Sequence, residues 1–146
     1  MATKVFVDIY EQIRIIGRMS RTLPRPTDAE LEILRVLWEL GPATVRQVHE
    51  AQAGTRDTGY TTTLKMMQIM AEKGLVTRDE SARTHIYAAR VSQESTQRQL
   101  LNDLVDRAFG GSAKELVLRA LSSHTTSDEE LDEIRKLIDE AGEGRS

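Results

Sequence analysis

Four polar side chains recur at helical spacing in the middle of the sequence, and their chemistry suits the recognition of a nucleic acid. If residues 58–74 form a helix, Thr61, Thr62, Lys65 and Gln68 share one face. Their hydroxyl, ammonium and amide groups suit base edges and phosphates in the major groove of DNA. The opposite face carries residues spaced three or four apart, as in a buried stripe: Thr63, Met67, Met70 and Gly74. The alternative is that the polar face is only solvated.

The residues after this helix predict a β-wing. Gly74 is placed to end the helix in a left-handed conformation. Residues 75–78 and 83–88 are typical of two strands joined by a polar turn. Arg83 would lie at the base or tip of the wing, where a cation can reach a phosphate or the minor groove. Tyr87 of the returning strand is expected to face the core. Helix, strand, turn and strand together predict the second half of a winged helix-turn-helix.

Two predicted helices precede this unit, and each starts with a capping box. Thr27 with Glu30, and Thr44 with Gln47, match the pattern in which a hydroxyl and a side chain three residues later cap a helix reciprocally. The expected buried stripe of the first helix, which would end at Gly41-Pro42, is Leu31, Leu34, Leu37 and Trp38, flanked by Ile33 and Leu40.

Three further residues are candidates for contacts that position DNA. Thr44 and Arg46 start the second helix, whose N-terminal amides would face the DNA backbone. The alternative for both is a helix cap and a solvated charge. Tyr60 could pack its ring on the domain and offer its hydroxyl to a phosphate, or serve only as a packing residue. Thr58 is the predicted N-cap of the helix that follows.

These motifs resemble the penicillinase-repressor (BlaI/MecI) family over about residues 26–89, and more loosely to about Glu140. The likeness rests on Leu-Trp near the end of the first helix, Y-T-T-T at the start of the third, E-K-G-L-V after it, and R-x-H-x-Y in the wing. The resemblance implies a winged-helix repressor that binds a double-stranded DNA operator as a homodimer. No cofactor is predicted.

Three short amphipathic segments follow residue 92, and they offer more apolar surface than a small winged-helix unit can cover. Gly110-Gly111 separates the first from the second, Ser112 starts the second, and Ser127 with Glu130 forms a capping box for the third. We expect the apolar side chains to bury against a second copy, as the resemblance also implies: Leu100, Leu101, Leu104, Val105, Phe109, Leu116, Val117, Leu121, Leu131, Ile134, Leu137 and Ile138.

The resemblance further implies a mode of release. Family members are inactivated when a membrane-bound sensor protease triggers cleavage in the first dimerisation helix, between an Asn and a Phe. The corresponding position in this chain is Gln99-Leu100, which differs from that pair. A copper-responsive branch of the superfamily relies on a C-terminal cysteine cluster. This chain has no cysteine, which disfavours copper sensing.

Composition and charge exclude several classes of function. The net charge is −3, but the acidic excess lies in residues 92–146, with twelve acidic and seven basic groups, while residues 23–91 hold nine of each. The acidic part is expected to face away from a duplex. The three histidines occupy unrelated segments, so no metal site is predicted, and no enzyme motif occurs. Without a secretory signal or an apolar run of about 18–20 residues, the expectation is a cytoplasmic protein with no membrane insertion.

The sequence thus predicts a mainly α protein with a winged helix-turn-helix over residues 26–91 and a three-helix dimerisation region over 92–141. Residues 1–25 form an extension, with an amphipathic helix, a basic arm or a poorly ordered segment as alternatives, and residues 142–146 form a tail. The predicted function is repression by a homodimer on an inverted-repeat operator. Two alternatives stay open: a ligand-responsive winged-helix regulator of another type, and a winged-helix protein-interaction module that does not bind DNA.

Overall fold

The computed structural model describes residues 24–55 and 57–144, so the predicted N-terminal extension lies almost wholly outside the described residues. Within them the chain is mainly helical with one small sheet, which confirms the predicted fold class. In chain order the elements are α1 (Asp28–Leu40), α2 (Val45–Gln52), α3 (Tyr60–Lys73), β1 (Val76–Asp79), β2 (Ile86–Ala89), α4 (Gln93–Ala108), α5 (Ala113–Ser123) and α6 (Asp128–Glu143).

The three predicted capping boxes are all present, and they start α1, α2 and α6. In each, the N-cap hydroxyl accepts a hydrogen bond from the third amide of the helix, whose own side chain accepts from the N-cap amide. The pairs are Thr27–Glu30, Thr44–Gln47 and Ser127–Glu130. The predicted cap of α3 was wrong, because Gly59 rather than Thr58 is the N-cap, and it makes no side-chain hydrogen bond. Backbone geometry, with φ −70° and ψ 157° at Gly59, is enough to turn the chain into this helix.

Gly74 ends α3 as predicted, with a left-handed φ of 84°. The amide of Leu75 then donates to the carbonyl of Met70 at 2.9 Å, which satisfies an end group of the helix. Leu75 is fully buried and lies before the strand, so β1 starts one residue later than predicted.

The wing is a two-stranded antiparallel ladder that runs from Val76 opposite Ala89 to Asp79 opposite Ile86. Because β2 starts at Ile86 rather than at residue 83, Arg83 lies in the turn that joins the strands. Ala43, between α1 and α2, exchanges both backbone hydrogen bonds with Tyr87 at 2.8 and 2.9 Å. This bridge joins the wing to the helix-turn-helix.

The core lies among α1, α2, α3 and the wing, and its largest fully buried side chains are Tyr87, Ile33, Leu34, Leu37, Met67, Met70, Leu75, Val48 and Val76. Tyr87 faces inward as expected. The stripe predicted for α1 needs correction: Ile33 is at its centre, Leu31 and Trp38 are half-buried, and Leu40 is 55% exposed. Leu40 is the last residue of α1, beside the turn at Gly41, where the neighbouring helices no longer cover it.

Trp38 is a structural anchor. Its indole Nε1 donates to the backbone carbonyl of Val91 at 3.0 Å, and its ring packs on the edge of the core. This hydrogen bond ties α1 to the segment that follows the wing. The indole N–H therefore has a partner within the scaffold.

The chain divides into two compact units, one ending at Gln99 and the other starting at Leu100. The division falls inside α4, because the first turn of this helix, with the buried Thr96, belongs to the first unit. The described residues of the second unit include no buried side chain. No helix within residues 24–55 and 57–144 is long and apolar enough to span a membrane.

Candidate nucleic-acid interface

The exposed face of α3 carries the four polar side chains that the sequence analysis singled out. Thr61, Thr62, Lys65 and Gln68 are all exposed. On the other side of the helix, Thr63, Met67 and Met70 are 2%, 0% and 0% exposed. At 3.6 residues per turn these two sets lie on opposite faces, so the buried stripe holds the polar face outward.

Two residues on this exposed face escaped the sequence analysis. Ile69 is 39% exposed and lies between Lys65 and Thr62 around the helix. Glu72 is exposed one turn beyond Gln68. The helical period that placed the four polar residues on this face also places these two. The recognition face is therefore longer and less uniformly polar than predicted.

A groove of about 480 Å³ lies beside this face, and it brings together residues that are far apart in the sequence. It is lined by Thr44, Arg46, Tyr60 and Arg83, together with Val45, Leu64, Thr84, His85 and Tyr87. Four of the eight predicted DNA contacts thus lie on one concave surface, where the starts of α2 and α3 meet the wing. Two arginines and the positive end of the α2 dipole make it suitable for an anionic backbone.

Tyr60 is held in place by a histidine that the sequence analysis did not assign. The ring of His49, on α2, meets the ring of Tyr60 edge to face, with centroids 6.0 Å apart and an interplanar angle of 87°. Tyr60 nevertheless stays 44% exposed. Packing of one ring edge fits both alternatives for Tyr60, and the exposed part of the side chain leaves room for a contact with a phosphate. The sequence carried no signal for this contact, because the two residues belong to different helices.

The wing turn is shaped by a side chain-to-backbone hydrogen bond. The Asp79 carboxylate accepts from the amide of Ser81 at 2.9 Å. The side chain and backbone of Ser81 lower the pKa of Asp79, since hydrogen bonds favour the charged carboxylate. Arg78, in β1, forms an ion pair with Glu80 at the start of the turn. These contacts shape the first residues of the turn that carries Arg83.

A buried carboxylate links α1 to α3. Glu30 on α1 is 3% exposed and accepts hydrogen bonds from the Thr27 amide and from Lys73 Nζ, both at 2.9 Å. Burial alone would raise the pKa of Glu30, but these hydrogen bonds and the charge of Lys73 lower it below its ordinary value. Lys73 is the last residue of α3, so this contact ties the recognition helix to α1.

The residues predicted for dimerisation are partly or fully exposed in the single chain. Those with more than a third of their surface exposed are Leu101, Leu104, Val117, Leu121, Leu137 and Ile138, and the half-buried ones are Leu100, Val105, Phe109, Leu116, Leu131 and Ile134. Leu118, 53% exposed on α5, belongs with them and was missed by the sequence analysis. The predicted cleavage position, Gln99-Leu100, lies in the interior of α4. Within residues 24–55 and 57–144, no group of His and acidic side chains could hold a metal ion.

Comparison of the sequence with known proteins points to one family. The sequence model described as penicillinase repressor matches residues 26–140. The transcriptional regulator BlaI of Mycobacterium tuberculosis is 33% identical over 125 residues, which cover 84% of this chain and 90% of that protein. The penicillinase repressor of Bacillus licheniformis is 22% identical over 120 residues, or 82% of this chain and 94% of that protein.

Two solved structures of BlaI are also similar to part of the chain. The solution structure of the DNA-binding domain of the repressor BlaI has 22% identity and a TM-score of 0.45, covering 49% of this chain and 88% of that one. Monomeric Bacillus licheniformis BlaI in complex with the blaP half-operator has 22% identity and a TM-score of 0.44, covering 50% and 89%.

Proposed function

The chain belongs to the penicillinase repressor family of DNA-binding transcriptional repressors, and we propose that it acts as a homodimer on an inverted-repeat operator. As a family member it is a repressor rather than an enzyme. A repressor acts where the chromosome lies, so we place it in the cytoplasm. Each protomer would insert the exposed face of α3 into a major groove and set the wing against the adjacent backbone.

The observation that carries this proposal is the position of Arg46, Tyr60 and Arg83 on one groove, next to the exposed Lys65 and Gln68. Backbone contacts position a protein on a duplex, and side chains in the major groove read its sequence. Both kinds of group are present here on adjoining surfaces. We assign Thr44, Arg46, Tyr60 and Arg83 to the backbone. The base-reading set is Thr61, Thr62, Lys65 and Gln68, with Lys65 reaching a base or a phosphate.

Homodimerisation is proposed from the state of the second unit. Among its described residues none is buried, and Leu137 and Ile138 are 62% and 58% exposed. These apolar side chains are exposed to water in a single chain. Covering them with a partner would stabilise the complex by about 25 cal/mol for each Å² of apolar surface buried. A twofold dimer would place two recognition helices on half-sites about 10 base pairs apart, or a multiple of this distance.

The first experiment selects bound duplexes from a random-sequence pool with the full chain and compares Lys65→Ala with wild type on the best duplex. Loss of a base or phosphate contact should weaken binding roughly 5- to 150-fold. Lys136→Ala is the control, because it removes the same charge at a different site. Lys136 lies on the side of α6 opposite the apolar stripe. Selection of an inverted repeat is expected. Equal affinities of both variants and wild type would contradict the assignment of the α3 face to DNA. Duplex binding that does not depend on salt concentration would favour a protein-interaction module.

We also propose that cleavage at Gln99-Leu100, triggered by a membrane-bound sensor protease, releases the operator. This peptide bond lies within the hydrogen-bonded interior of α4, so a protease needs local unwinding of the helix to reach it. Cleavage there would separate the second unit from the first and leave the DNA-binding half without its partner surface. Intact-mass spectrometry of the chain from induced cells should reveal a fragment that starts at Leu100. Uncleaved protein under full induction would exclude this route.

A further inference from the structure

A second groove, of about 510 Å³, lies between the C-terminal half of α3 and β1. Its lining consists of Gln68, Ala71, Glu72, Arg78 and Glu80. Gln68 belongs both to this groove and to the exposed recognition face. A duplex seated on that face would therefore bring its backbone towards the groove, and the charges that line the groove would act on it.

The groove contains a cation, Arg78, that is already paired with a carboxylate, Glu80. Arg78 Nη2 pairs with the Glu80 carboxylate, and the two side chains are 34% and 54% exposed. Asp79, between them, accepts from the Ser81 amide and holds the turn. Of the two successive carboxylates, one shapes the wing and the other is directed at the arginine. Glu72 adds a further negative charge on the α3 side of the groove.

The backbone that carries Arg78 is firmly placed. In the wing ladder Arg78 lies opposite Tyr87, which is 1% exposed and bonded through its backbone to Ala43. The Arg78 guanidinium lies beside the Tyr87 side chain as well as the Glu80 carboxylate, and both raise the pKa of Arg78, Tyr87 more than Glu80. An ion pair with this much exposure is weak in water, and a phosphate presents the same bidentate acceptor geometry to a guanidinium as a carboxylate does.

We propose that Arg78 is a second phosphate-contacting cation of the wing and that Glu80 competes with DNA for it, an inference that rests on the proposed function. Glu80 acts as an intramolecular substitute for a phosphate. It keeps Arg78 paired in the free protein, and this pairing must break when the operator binds. The affinity of the wing for any duplex is lowered by this competition, independently of base sequence.

The test is a double-mutant cycle with the full chain, using the highest-affinity duplex of the selection and a series of KCl concentrations. Glu80→Gln removes the competing carboxylate from Arg78 and should tighten binding about two- to fivefold. It should also make the slope of log affinity against log salt steeper by about 0.9, which corresponds to one more phosphate contact. Arg78→Gln should weaken binding. In the Arg78→Gln background, Glu80→Gln should gain no more than the control.

The control is Glu39→Gln, which makes the same charge change at an exposed position of α1, away from both grooves of the interface. Equal gains from Glu80→Gln with and without Arg78 would overturn the proposal, because Glu80 would then act on DNA directly. A gain no larger than that of Glu39→Gln would overturn it too. If Lys65→Ala still weakens binding in that case, only this inference fails. If selection recovers no duplex, the proposed function and this inference fail together.

Discussion

The buried ion pair between Glu30 and Lys73 predicts a pH-dependent loss of stability when the lysine is removed. Lys73→Met keeps most of the aliphatic side chain but leaves the Glu30 carboxylate, in a side chain that is 4% exposed, without its lysine partner and bonded to the Thr27 amide. A hydrogen bond to a charged group contributes about 1.5–3 kcal/mol. Lys73 itself is 41% exposed, so solvent screening lowers the expected cost to about 1–2 kcal/mol at pH 7.

The sign of the pH dependence follows from the lowered pKa of Glu30. A carboxylate whose folded pKa lies below its unfolded value of 4.5 stabilises the fold above that value. This stabilisation is lost as the pH falls through the folded pKa. In the Lys73→Met variant the ion pair is absent at every pH. The difference in unfolding free energy between wild type and variant should therefore be greatest at neutral pH and shrink in acid.

The assay is urea unfolding of the full chain at neutral pH and at pH values below 4.5, followed by far-UV circular dichroism. Lys65→Met is the matched control, because it makes the same substitution at an exposed position of the same helix. The control should change stability by less than about 0.5 kcal/mol. A cost for Lys73→Met that is the same in acid as at neutral pH would refute the electrostatic reasoning and leave only lost packing.

Three further predictions concern the scaffold and the dimer. Gly41→Ala, at φ 79° and ψ −166°, should lower the unfolding free energy by about 1–3 kcal/mol. Gly74→Ala, at φ 84° and ψ 18°, should lower it by about 1 kcal/mol. The reverse order of the two losses in urea unfolding would contradict this ranking. Trp38→Phe leaves the Val91 carbonyl without its indole donor and should cost about 1–2 kcal/mol in the same assay, whereas no loss would mean that water replaces the donor. Leu137→Ser should raise the dimer dissociation constant at least about tenfold in sedimentation equilibrium, because the substitution is present in both protomers of a twofold dimer. An unchanged dissociation constant would exclude Leu137 from the interface.

Local patterns in the sequence predicted the capping boxes that start α1, α2 and α6 and the polarity of α3. Thr27 with Glu30, and Thr44 with Gln47, cap their helices over a span of three residues, so the relevant interaction is contained in a few letters of sequence. The period of 3.6 residues likewise assigned Lys65 to the exposed side of α3. The winged-helix fold could be predicted because each of its parts carries such a local signal.

Contacts between distant residues gave no comparable signal. Glu30 meets Lys73 across 43 residues, and Trp38 meets Val91 across 53, and neither pair follows from spacing or composition. The same holds for the groove shared by Arg46 and Arg83. The first strand also starts one residue later than predicted, because Leu75 closes the helix and packs in the core.

Short-range hydrogen bonding and helical periodicity thus account for which elements form and which way α3 faces, since both act within a few neighbouring residues. The arrangement of charges around that face arose from packing, because the core of Leu34, Met67 and Tyr87 sets how closely the helices and the wing approach. That approach brings Arg46 to the groove of Arg83, and Lys73 to Glu30. The amino-acid sequence alone does not give the distances between secondary-structure elements, and the chemistry of this surface depends on those distances.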